Sequence, residues 1–386
     1  MDLTNSNLPS FDLTAKRVLL RVDFNIPIRD DEILNDERMV RALPTIEYLL
    51  EHAKSLRIIT HRGRPQESGK IQPEFSVKPI AKRLSQLLDI PIPIANSLED
   101  LDQAAKIIML ENIRFFNGEK NNSEELARQL GKSSDIYIMD AFGTAHRKQA
   151  STFAVIDSVS EAGVGFLVED ELKALKKILV NPEKPLIGII GGSKISTKIN
   201  VIDSLTSHVD KLIIGGALAN TCYLAMGKNI GKSLFEEEYI EVAKKLTENN
   251  KIVLPENVVV LDTSNDSVLE KHIDNVENHE AICDVGRKSL DYFKKYIASA
   301  KTVFWNGPLG KFEDSRFSEG TSEVAKLMSQ SSAYSIIGGG ETITSFANIN
   351  LMNSVNYAST AGGAFLEYIE NKSLPCIDKI IKKNNG

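Results

Sequence analysis

Two lysines that follow a glycine pair form the first candidate site. Lys194 and Lys198 come shortly after Gly191-Gly192 in the stretch LIGIIGGSKISTKIN, residues 186–200. The apolar start of this stretch predicts a buried strand, and the rest predicts a helix with both lysines on one face. Glycines allow a close approach to the backbone, and the free N–H groups of a helix start favour an anion. The stretch therefore indicates phosphate binding; the alternative is a tight strand-to-helix turn with two solvated lysines.

Polar and basic side chains follow four predicted strands in the first 150 residues. The strands are predicted at 17–24, 56–60, 107–110 and 136–139. Open α/β sheets bind ligands at the carboxyl ends of their strands, and arginine binds carboxylate and phosphate bidentately. A small polyanion is therefore the expected ligand. The alternative for Arg38 alone is a solvated helix arginine, and a lone His61 is more often a structural histidine than a base. The candidate residues are Asp23, Asn25, Arg38, His61, Arg64, Arg114 and Arg147.

Arginine and glycine are distributed unequally along the chain. Twelve of the 14 arginines lie in residues 1–150, and 19 of the 24 glycines lie after it. Because glycine turns let phosphates reach the backbone, the second part is suited to a nucleotide and the first to a small polyanion. The alternative is that the unequal distribution of arginine and glycine arose by chance and has no connection with ligand binding.

The elements that must position these residues alternate between strands and helices. With 386 residues, two domains are expected, and a helix at 167–180 is predicted to join them. Alternating strands and helices predict parallel sheets. Further strands are predicted at 212–214, 252–254, 258–261, 302–305, 335–337 and 356–359.

Composition excludes several classes of protein. The net charge of −6 argues against a general nucleic-acid binder and against binding to anionic membranes. No apolar run has transmembrane length, and the N-terminal residues predict no secretory signal. The three cysteines are far apart and follow no metal or disulfide spacing, so a cytoplasmic location is expected.

Two familiar motifs are incomplete. Residues 227–233 resemble a phosphate loop, but they have three residues between the glycines instead of four and follow a predicted helix. Residues 163–168 begin like a dinucleotide fingerprint, but Val168 stands where glycine is needed. A nicotinamide-dependent dehydrogenase therefore lacks support.

From about residue 10 to its end, the chain resembles the phosphoglycerate kinase family. The matching stretches are RVLLRVDFNIP, HRGRP, ENIRF, DAFGTAHR, GFLVEDEL, GGSKISTK, WNGPLG with Phe312 and Glu313, GGGETIT, and STAGGAFLEYIE, in the family's order. The resemblance implies an α/β fold of two domains, each a parallel β-sheet flanked by helices in a Rossmann-like three-layer arrangement, with an interdomain cleft. Domain 1–165 would bind 3-phosphoglycerate, with 366–386 packing back on it, and domain 166–365 would bind the nucleotide.

The implied reaction is Mg²⁺-dependent, reversible phosphoryl transfer from 1,3-bisphosphoglycerate to ADP. The expected partners are small molecules only, and the enzyme is expected to be a monomer. Arg38 and Lys194 resemble the family's catalytic residues. The resemblance places Asp23, Asn25, Arg38, His61, Arg64, Arg114 and Arg147 on 3-phosphoglycerate. It places Lys198, Gly286, Asn306, Glu313, Gly339, Gly340, Glu341 and Thr342 on the nucleotide, with Glu341 also on the metal.

Some positions depart from the family's pattern. Glu341 stands where the family usually has aspartate, Ala361 replaces a glycine, and Gln149 replaces a histidine. Arg287 replaces a proline, and Ile26 is a conservative change. If the glycine position needs positive φ, Ala361 would strain its turn by roughly 1 kcal/mol. The alternative to an active kinase is a nucleotide-binding relative that has lost turnover and acts as an interaction protein.

Overall fold

The computed structural model describes residues 3–359 and 361–385. The chain divides into two compact units, called here unit 1 (Met1–Lys173 with Asn371–Gly386) and unit 2 (Ala174–Glu370). Within the described residues, no helix is both long enough and apolar enough to cross a membrane.

The strands are β1 Arg17–Val22, β2 Ile28–Arg29, β3 Glu32–Ile33, β4 Ser55–Ile59, β5 Ile94–Ala95, β6 Ile107–Leu110, β7 Ile136–Asp140, β8 Glu161–Val164, β9 Leu186–Ile190, β10 Lys211–Ile214, β11 Ile252–Val253, β12 Asn257–Asp262, β13 Val268–His272, β14 Glu280–Val285, β15 Thr302–Asn306, β16 Tyr334–Gly338 and β17 Tyr357–Ser359. The helices are α1 Glu37–His52, α2 Lys78–Leu88, α3 Glu124–Lys132, α4 Phe166–Leu179, α5 Ile199–Thr206, α6 Ala217–Ala225, α7 Ile240–Thr247, α8 Arg287–Ser299, α9 Glu319–Ser329, α10 Gly340–Asn348, α11 Gly362–Asn371 and α12 Pro375–Asn385.

Unit 1 is built on a six-stranded parallel sheet in the order β5-β6-β4-β1-β7-β8. Its central strands are almost wholly buried, which explains why they are continuous apolar runs in the sequence. Val18 of β1 is in register with Leu56 of β4 and Ile136 of β7, so these strands end at the same edge of the sheet. The four strands predicted in this region are confirmed to within two residues at each end.

Helices complete the core of unit 1. Leu20 of β1 packs in one apolar cluster with Ile46 and Leu49 of α1. The first helix begins after Asn35, whose side-chain oxygen accepts the N–H of Glu37 at 2.9 Å. This bond satisfies one of the free N–H groups at the start of α1. Arg38 lies in the first turn of this helix.

The last helix, α12, belongs to unit 1 although it follows unit 2 in the sequence. It packs against β8. Asn384 donates to the carbonyl oxygen of Ala162 at 2.8 Å and to Ser6 Oγ at 2.9 Å. The chain thus passes into unit 2 within α4 and returns at Asn371.

Unit 2 contains a second six-stranded parallel sheet, in the order β11-β10-β9-β15-β16-β17. Asn306 at the end of β15 is in register with Ile190 of β9 and Gly338 of β16. The turns that follow these strands therefore begin at one edge of the sheet. The predicted α/β class, with two parallel sheets flanked by helices, is confirmed.

One strand predicted for a parallel sheet lies elsewhere. The segment predicted at 258–261 is β12, the centre of an antiparallel three-stranded sheet in the order β13-β12-β14. Neither β13 nor β14 was predicted. The side chains of β13 are mostly exposed, so this strand lacks the apolar run that marks a buried one.

Candidate functional site

The carboxyl end of β1 and the start of α1 are joined by an ion pair. Arg38 Nη1 lies 2.8 Å from Asp23 Oδ2, and the other carboxylate oxygen lies 3.7 Å from His61 Nδ1. Burial alone would raise the pKa of Asp23, but attraction to His61, Arg38 and Arg21 lowers it below its usual value. Asp23 is therefore an anion that orients cationic side chains around it.

Cationic side chains gather around His61. Burial lowers the pKa of His61 to about 3, and repulsion from Arg21, Arg114 and Arg147 adds to this effect while Asp23 opposes it. Burial and repulsion from Arg21 and Arg147 also lower the pKa of Arg114 to about 10. These mutual effects show that the strand ends of unit 1 bring several positive groups together. Such a cluster is stabilised by a bound anion.

Backbone and amide contacts hold the strand-end turns in place. Asn25 Oδ1 accepts the N–H of Gly63 at 2.9 Å, and Arg114 Nη1 donates to the carbonyl oxygen of Gly63. Asn112 Oδ1 accepts the N–H groups of Arg62 and Arg114, each at 3.1 Å. The turns after β1, β4 and β6 are thus bonded to one another, which fixes the arginines they carry.

Arg147 reaches the same cluster from the turn after β7. Its Nε donates to His146 Nε2 at 3.2 Å, and its carbonyl oxygen accepts from Thr152 Oγ1 at 2.7 Å. Burial, followed by repulsion from Arg147, lowers the pKa of His146 to about 4. Arg147 and Arg64 are both exposed. Charge effects link Arg147 to His61 and Arg114, whereas among the described residues no such link joins Arg64 to the group around Asp23.

Sequence reasoning missed Arg21, which is fully buried in the middle of β1. Its Nε donates to Ser151 Oγ at 3.0 Å, and its Nη2 lies 3.2 Å from His61 Nδ1. Ser151 also bonds the buried carboxylate of Glu119. An arginine between Leu20 and Val22 of a predicted buried strand was the signal, because a buried charge needs partners.

In unit 2, three glycine-containing turns follow β9, β15 and β16. Gly307 has a φ of +90°, and a Cβ atom there would lie 2.2 Å from the carbonyl oxygen of Gly191. Gly339, with a φ of +93°, precedes α10. The turns after β9 and β15 therefore approach each other closely enough to exclude any side chain at Gly307. The turn after β16 leads into the N-terminus of α10.

Lys198 is half-buried beside these turns. Its Nζ donates to Asn306 Oδ1, and Asn306 Nδ2 donates to the carbonyl oxygen of Gly338 at 2.7 Å. Thr342 Oγ1 accepts the N–H of Gly307 at 2.7 Å. Burial lowers the pKa of Lys198 to about 8, although attraction to Glu341 opposes the change. The structure thus brings Lys198, Asn306, Glu341 and Thr342 together.

The prediction that Lys194 and Lys198 share one helix face is wrong. Lys194 has an extended backbone with a φ of −133°, and α5 begins only after Lys198. A 3₁₀ turn lies between them, where the N–H and Oγ of Ser196 donate to Glu236 at 2.9 and 2.6 Å. Since a distant carboxylate satisfies these donors, the chain does not need an α-helix at this point. Lys194 is exposed and precedes the 3₁₀ turn, whereas the half-buried Lys198 follows it.

A cleft of about 520 Å³ lies beside the glycine turns of unit 2. Its walls include apolar side chains, and its lining includes the backbone of Gly192 and the carboxylates Glu313 and Glu341. Apolar walls with a few convergent polar groups are typical of sites that bind small molecules. Gly286 precedes α8, next to Val285 of the cleft wall. The apolar lining, which sequence reasoning missed, includes Tyr223, Val258, Ile282 and Leu309.

Asp284 is a charged cleft residue that sequence reasoning also missed. It is 3% exposed, and its Oδ2 accepts the N–H of Gly320 at 2.8 Å. Burial raises the pKa of Asp284 to about 7. A Cβ atom on Gly320 would lie 2.4 Å from Asp284 Oδ1, so the carboxyl group packs directly against the start of α9.

The comparisons with known proteins agree over nearly the whole length of the chain. The family model described as Phosphoglycerate kinase matches residues 8–372. The chain belongs to the phosphoglycerate kinase family. A phosphoglycerate kinase of Coxiella burnetii (strain RSA 493 / Nine Mile phase I) is 43% identical over 379 residues, covering 96% of this chain and 97% of that protein. One of Francisella philomiragia is 41% identical over 385 residues, covering 97% and 98%.

Solved structures of the phosphoglycerate kinase family share this fold. The structure of phosphoglycerate kinase from Coxiella burnetii matches with a TM-score of 0.90 at 42% identity and covers 97% of this chain and 98% of that chain. The crystal structure of the enzyme from Pyrococcus horikoshii OT3 matches with a TM-score of 0.84 at 28% identity and covers 98% and 99%.

The surroundings of Ala361 and Gln149, two of the departures from the family's pattern, are described by the structure. Ala361 is 2% exposed, and its N–H donates to Ser359 Oγ at 3.2 Å. Thr360, in the same stretch, lies outside the described residues. Gln149 Oε1 is buried and makes no hydrogen bond within the described chain. The loss of a histidine at this position therefore leaves a polar atom, and not a charge, beside Arg147.

Proposed function

We propose that this phosphoglycerate kinase family member catalyses reversible transfer of a phosphoryl group from 1,3-bisphosphoglycerate to ADP, giving 3-phosphoglycerate and ATP. In the reverse direction it is a phosphotransferase whose acceptor is a carboxyl group. The observation that carries the proposal is the cationic cluster at the strand ends of unit 1, in which Arg38 pairs with Asp23 and Arg114 and Arg147 lie near the uncharged His61. The substrate that such a cluster fits is a small molecule with several negative charges.

The 3-phosphoglycerate site is assigned to the predicted residues of unit 1. The guanidinium groups of Arg114 and Arg147 suit the phosphate that is not transferred, because a guanidinium can bind a phosphate bidentately. Asp23 and Asn25 suit the glycerate hydroxyl, since both are hydrogen-bond acceptors fixed by their neighbours. His61 and the exposed Arg64 complete the set. The domain that binds this substrate is proposed to be 1–165 with 366–386.

The nucleotide site is assigned to the cleft in domain 166–365. The apolar walls suit the adenine ring, and Glu313 suits the ribose hydroxyls as an acceptor. Phosphates suit the N-terminus of α10 and the ammonium group of Lys198. The proposed nucleotide residues are Lys198, Gly286, Asn306, Glu313, Gly339, Gly340, Glu341 and Thr342.

Arg38 and Lys194 are proposed to act on the transferring group. Phosphoryl transfer depends on positioning and on stabilising the charge of the transferring oxygens more than on a covalent nucleophile. Arg38 is held by Asp23 at 2.8 Å, so its guanidinium is oriented before the substrate arrives. Lys194 is exposed, and it is free to follow the phosphoryl group.

The residues of unit 2 fit a magnesium ion held jointly by protein and nucleotide. No group of three or more metal-ligating side chains is found in the described part of the chain, so a cage made by protein alone is not expected. Mg²⁺ commonly uses one or two carboxylates together with substrate phosphates and water. Glu341, in the first turn of α10 and on the cleft wall, would supply that carboxylate. The bound ion would neutralise charge on the phosphate oxygens.

The test is turnover of 3-phosphoglycerate with MgATP, followed by coupled detection of ADP. We expect robust turnover that falls by roughly 10²–10³ in Arg38→Ala and in Lys194→Ala, because each removes one donor to the transferring group. MgADP binding, measured by calorimetry, should be retained in Arg38→Ala. No turnover in the unaltered protein, with MgADP binding intact, would contradict the proposed activity.

A second experiment tests the metal assignment. Glu341→Ala should raise the Mg²⁺ concentration needed for half-maximal turnover, while Glu323→Ala, at a helix position outside the cleft, should not. An unchanged requirement in Glu341→Ala would remove this residue from the metal site.

The proposed enzyme is a cytoplasmic monomer. Its three cysteines are all free thiols, which supports a reducing compartment. Sedimentation equilibrium tests the oligomeric state, and a mass above 42.7 kDa would contradict the monomer.

A further inference from the structure

We propose that a buried hydrogen-bond chain, running from Glu119 through Ser151 to Arg21, fixes His61 in the tautomer that carries its proton on Nε2. His61 then meets the substrate as a neutral N–H donor. The structural part of this inference depends only on unit 1, and the statement about substrate rests on the proposed function.

The donor properties of arginine decide the tautomer. Arg21 Nη2 lies 3.2 Å from His61 Nδ1, which is hydrogen-bond distance. A guanidinium has only donors and stays protonated in proteins. His61 Nδ1 must therefore accept, and a neutral imidazole that accepts at Nδ1 carries its proton at Nε2.

Ser151 and Glu119 hold Arg21 in the orientation that this contact needs. Arg21 Nε donates to Ser151 Oγ at 3.0 Å, and the same hydroxyl donates to Glu119 Oε1 at 2.7 Å. The Ser151 N–H donates to Glu119 Oε2 at 2.9 Å. Arg21 Nε and both Ser151 donors point toward Glu119, whose side chain is fully buried. Arg21 Nη2 points the other way, toward His61. The carboxylate thus fixes Ser151 and, through it, the guanidinium that donates to His61.

The other charged groups near His61 do not favour the opposite tautomer. Asp23 Oδ1 lies 3.7 Å from His61 Nδ1, beyond hydrogen-bond distance. A proton on Nδ1 would also face the guanidinium of Arg21, which has no acceptor. Burial, together with repulsion from Arg21, Arg114 and Arg147, lowers the pKa of His61 to about 3, so the imidazole is neutral although Asp23 opposes the change.

This arrangement gives His61 a role different from that of the arginines around it. Nε2 makes no hydrogen bond within the described residues, so its proton is available to an oxygen of a ligand. A neutral donor binds an oxygen without adding another positive charge to the cluster. Arg21, Ser151 and Glu119 act through His61 and are positioning residues.

The tautomer is measured directly by nitrogen NMR of the full chain labelled with ¹⁵N at histidine. The His61 signals are assigned by their loss in His61→Asn. We expect near neutral pH a shift typical of an unprotonated nitrogen at Nδ1 and of a protonated nitrogen at Nε2. Titration with 3-phosphoglycerate should move the Nε2 signal and leave Nδ1 unprotonated. A protonated Nδ1 overturns the inference.

Ser151→Ala tests whether the buried chain causes the tautomer. We expect a mixture of the two His61 tautomers and a rise in KM for 3-phosphoglycerate of about tenfold, with kcat changed much less. Ser10→Ala, which removes an exposed hydroxyl in the same unit, is the matched control. An unchanged His61 spectrum in folded Ser151→Ala overturns the positioning role.

The outcomes separate this inference from the proposed function. The spectrum of the unaltered protein decides the tautomer even when a variant fails to fold. A proton at Nε2 in a protein without turnover supports the role of the buried chain and contradicts the proposed activity. A proton at Nδ1 in an active enzyme supports the proposed activity and contradicts the role of the buried chain.

Discussion

Arg38 Nη1 and Asp23 Oδ2 lie 2.8 Å apart, and this contact joins the first turn of α1 to the carboxyl end of β1. The Asp23 side chain is only 16% exposed, so water screens the pair weakly. The carboxylate therefore decides where the guanidinium of the proposed catalytic arginine lies before any substrate binds.

Asp23→Asn removes the charge that orients Arg38. We expect kcat/KM for 3-phosphoglycerate to fall by about 10–100-fold, which corresponds to about 1.5–3 kcal/mol for a hydrogen bond to a charged group. Steady-state kinetics measure the change. Asp36→Asn, which breaks the more exposed pair with Arg83 in the same unit, is the control and should lower kcat/KM by less than about fivefold. Equal effects of the two substitutions would contradict the role of Asp23.

Lys198 should make nucleotide binding depend on pH. Burial holds its pKa at about 8, so the free protein loses this positive charge above that value. Bound phosphates favour the charged form, and affinity for MgADP should therefore fall by about tenfold between about pH 7 and about pH 9. Calorimetry at both pH values measures the ratio.

Lys198→Arg provides the comparison for this pH effect, because arginine keeps its charge over the whole range. The ratio of affinities at the two pH values should approach one in this variant. Lys326→Arg, at an exposed position on α9, should keep the ratio of the unaltered protein. A pH dependence that persists in Lys198→Arg would assign it to another group.

Gly307 and Gly227 both have positive φ, at +90° and +76°, but only Gly307 is crowded. Alanine at either position carries a conformational cost of about 1 kcal/mol. At Gly307 the new Cβ would also lie 2.2 Å from the carbonyl oxygen of Gly191, whereas at Gly227 it meets nothing within 4 Å. We expect Gly307→Ala to lower the melting temperature further and to weaken MgADP binding, while Gly227→Ala leaves binding unchanged. Equal melting temperatures would show that the turns separate without cost.

Asp140 should make the protein less stable as pH rises. Burial raises its pKa from the usual 3.8 to about 7, and its Oδ2 makes no hydrogen bond within the described chain. Between these two values the folded state holds a proton that the unfolded state has released, so the free energy of unfolding decreases with increasing pH.

The neutral analogue Asp140→Asn tests this effect. The variant should show a smaller loss of melting temperature between about pH 5 and about pH 8 than the unaltered protein. Asp203→Asn, at an exposed position on α5, should behave like the unaltered protein. The same pH dependence in Asp140→Asn would mean that another group titrates.

Most of the two parallel sheets could be predicted from sequence, because strands buried on both faces are continuous apolar runs. The run at 186–190 is β9, and the one at 107–110 is β6. The antiparallel sheet was harder to predict since β13 is largely exposed and carries glutamate, lysine and histidine. The third strand of this sheet, β14, has only three consecutive apolar residues, between Glu280 and Asp284.

The candidate sites were predictable where polar residues follow strands, and less so where tertiary contacts decide. Arg38, Asp23 and His61 were found because they follow predicted strands or begin a predicted helix. The conformation around Lys194 was not predicted correctly, since it depends on hydrogen bonds from Ser196 to Glu236, 40 residues away. The role of Arg21 was missed because its partners, Ser151 and His61, come from distant parts of the chain.

The placement of α12 determines the order in which the protein can be completed during synthesis. This helix packs on β8 of unit 1 but follows all of unit 2 in the sequence. A nascent chain therefore holds every element of unit 2 while unit 1 still lacks its last helix. Although domains usually fold in N-to-C order on the ribosome, the second unit is here the first that can be whole.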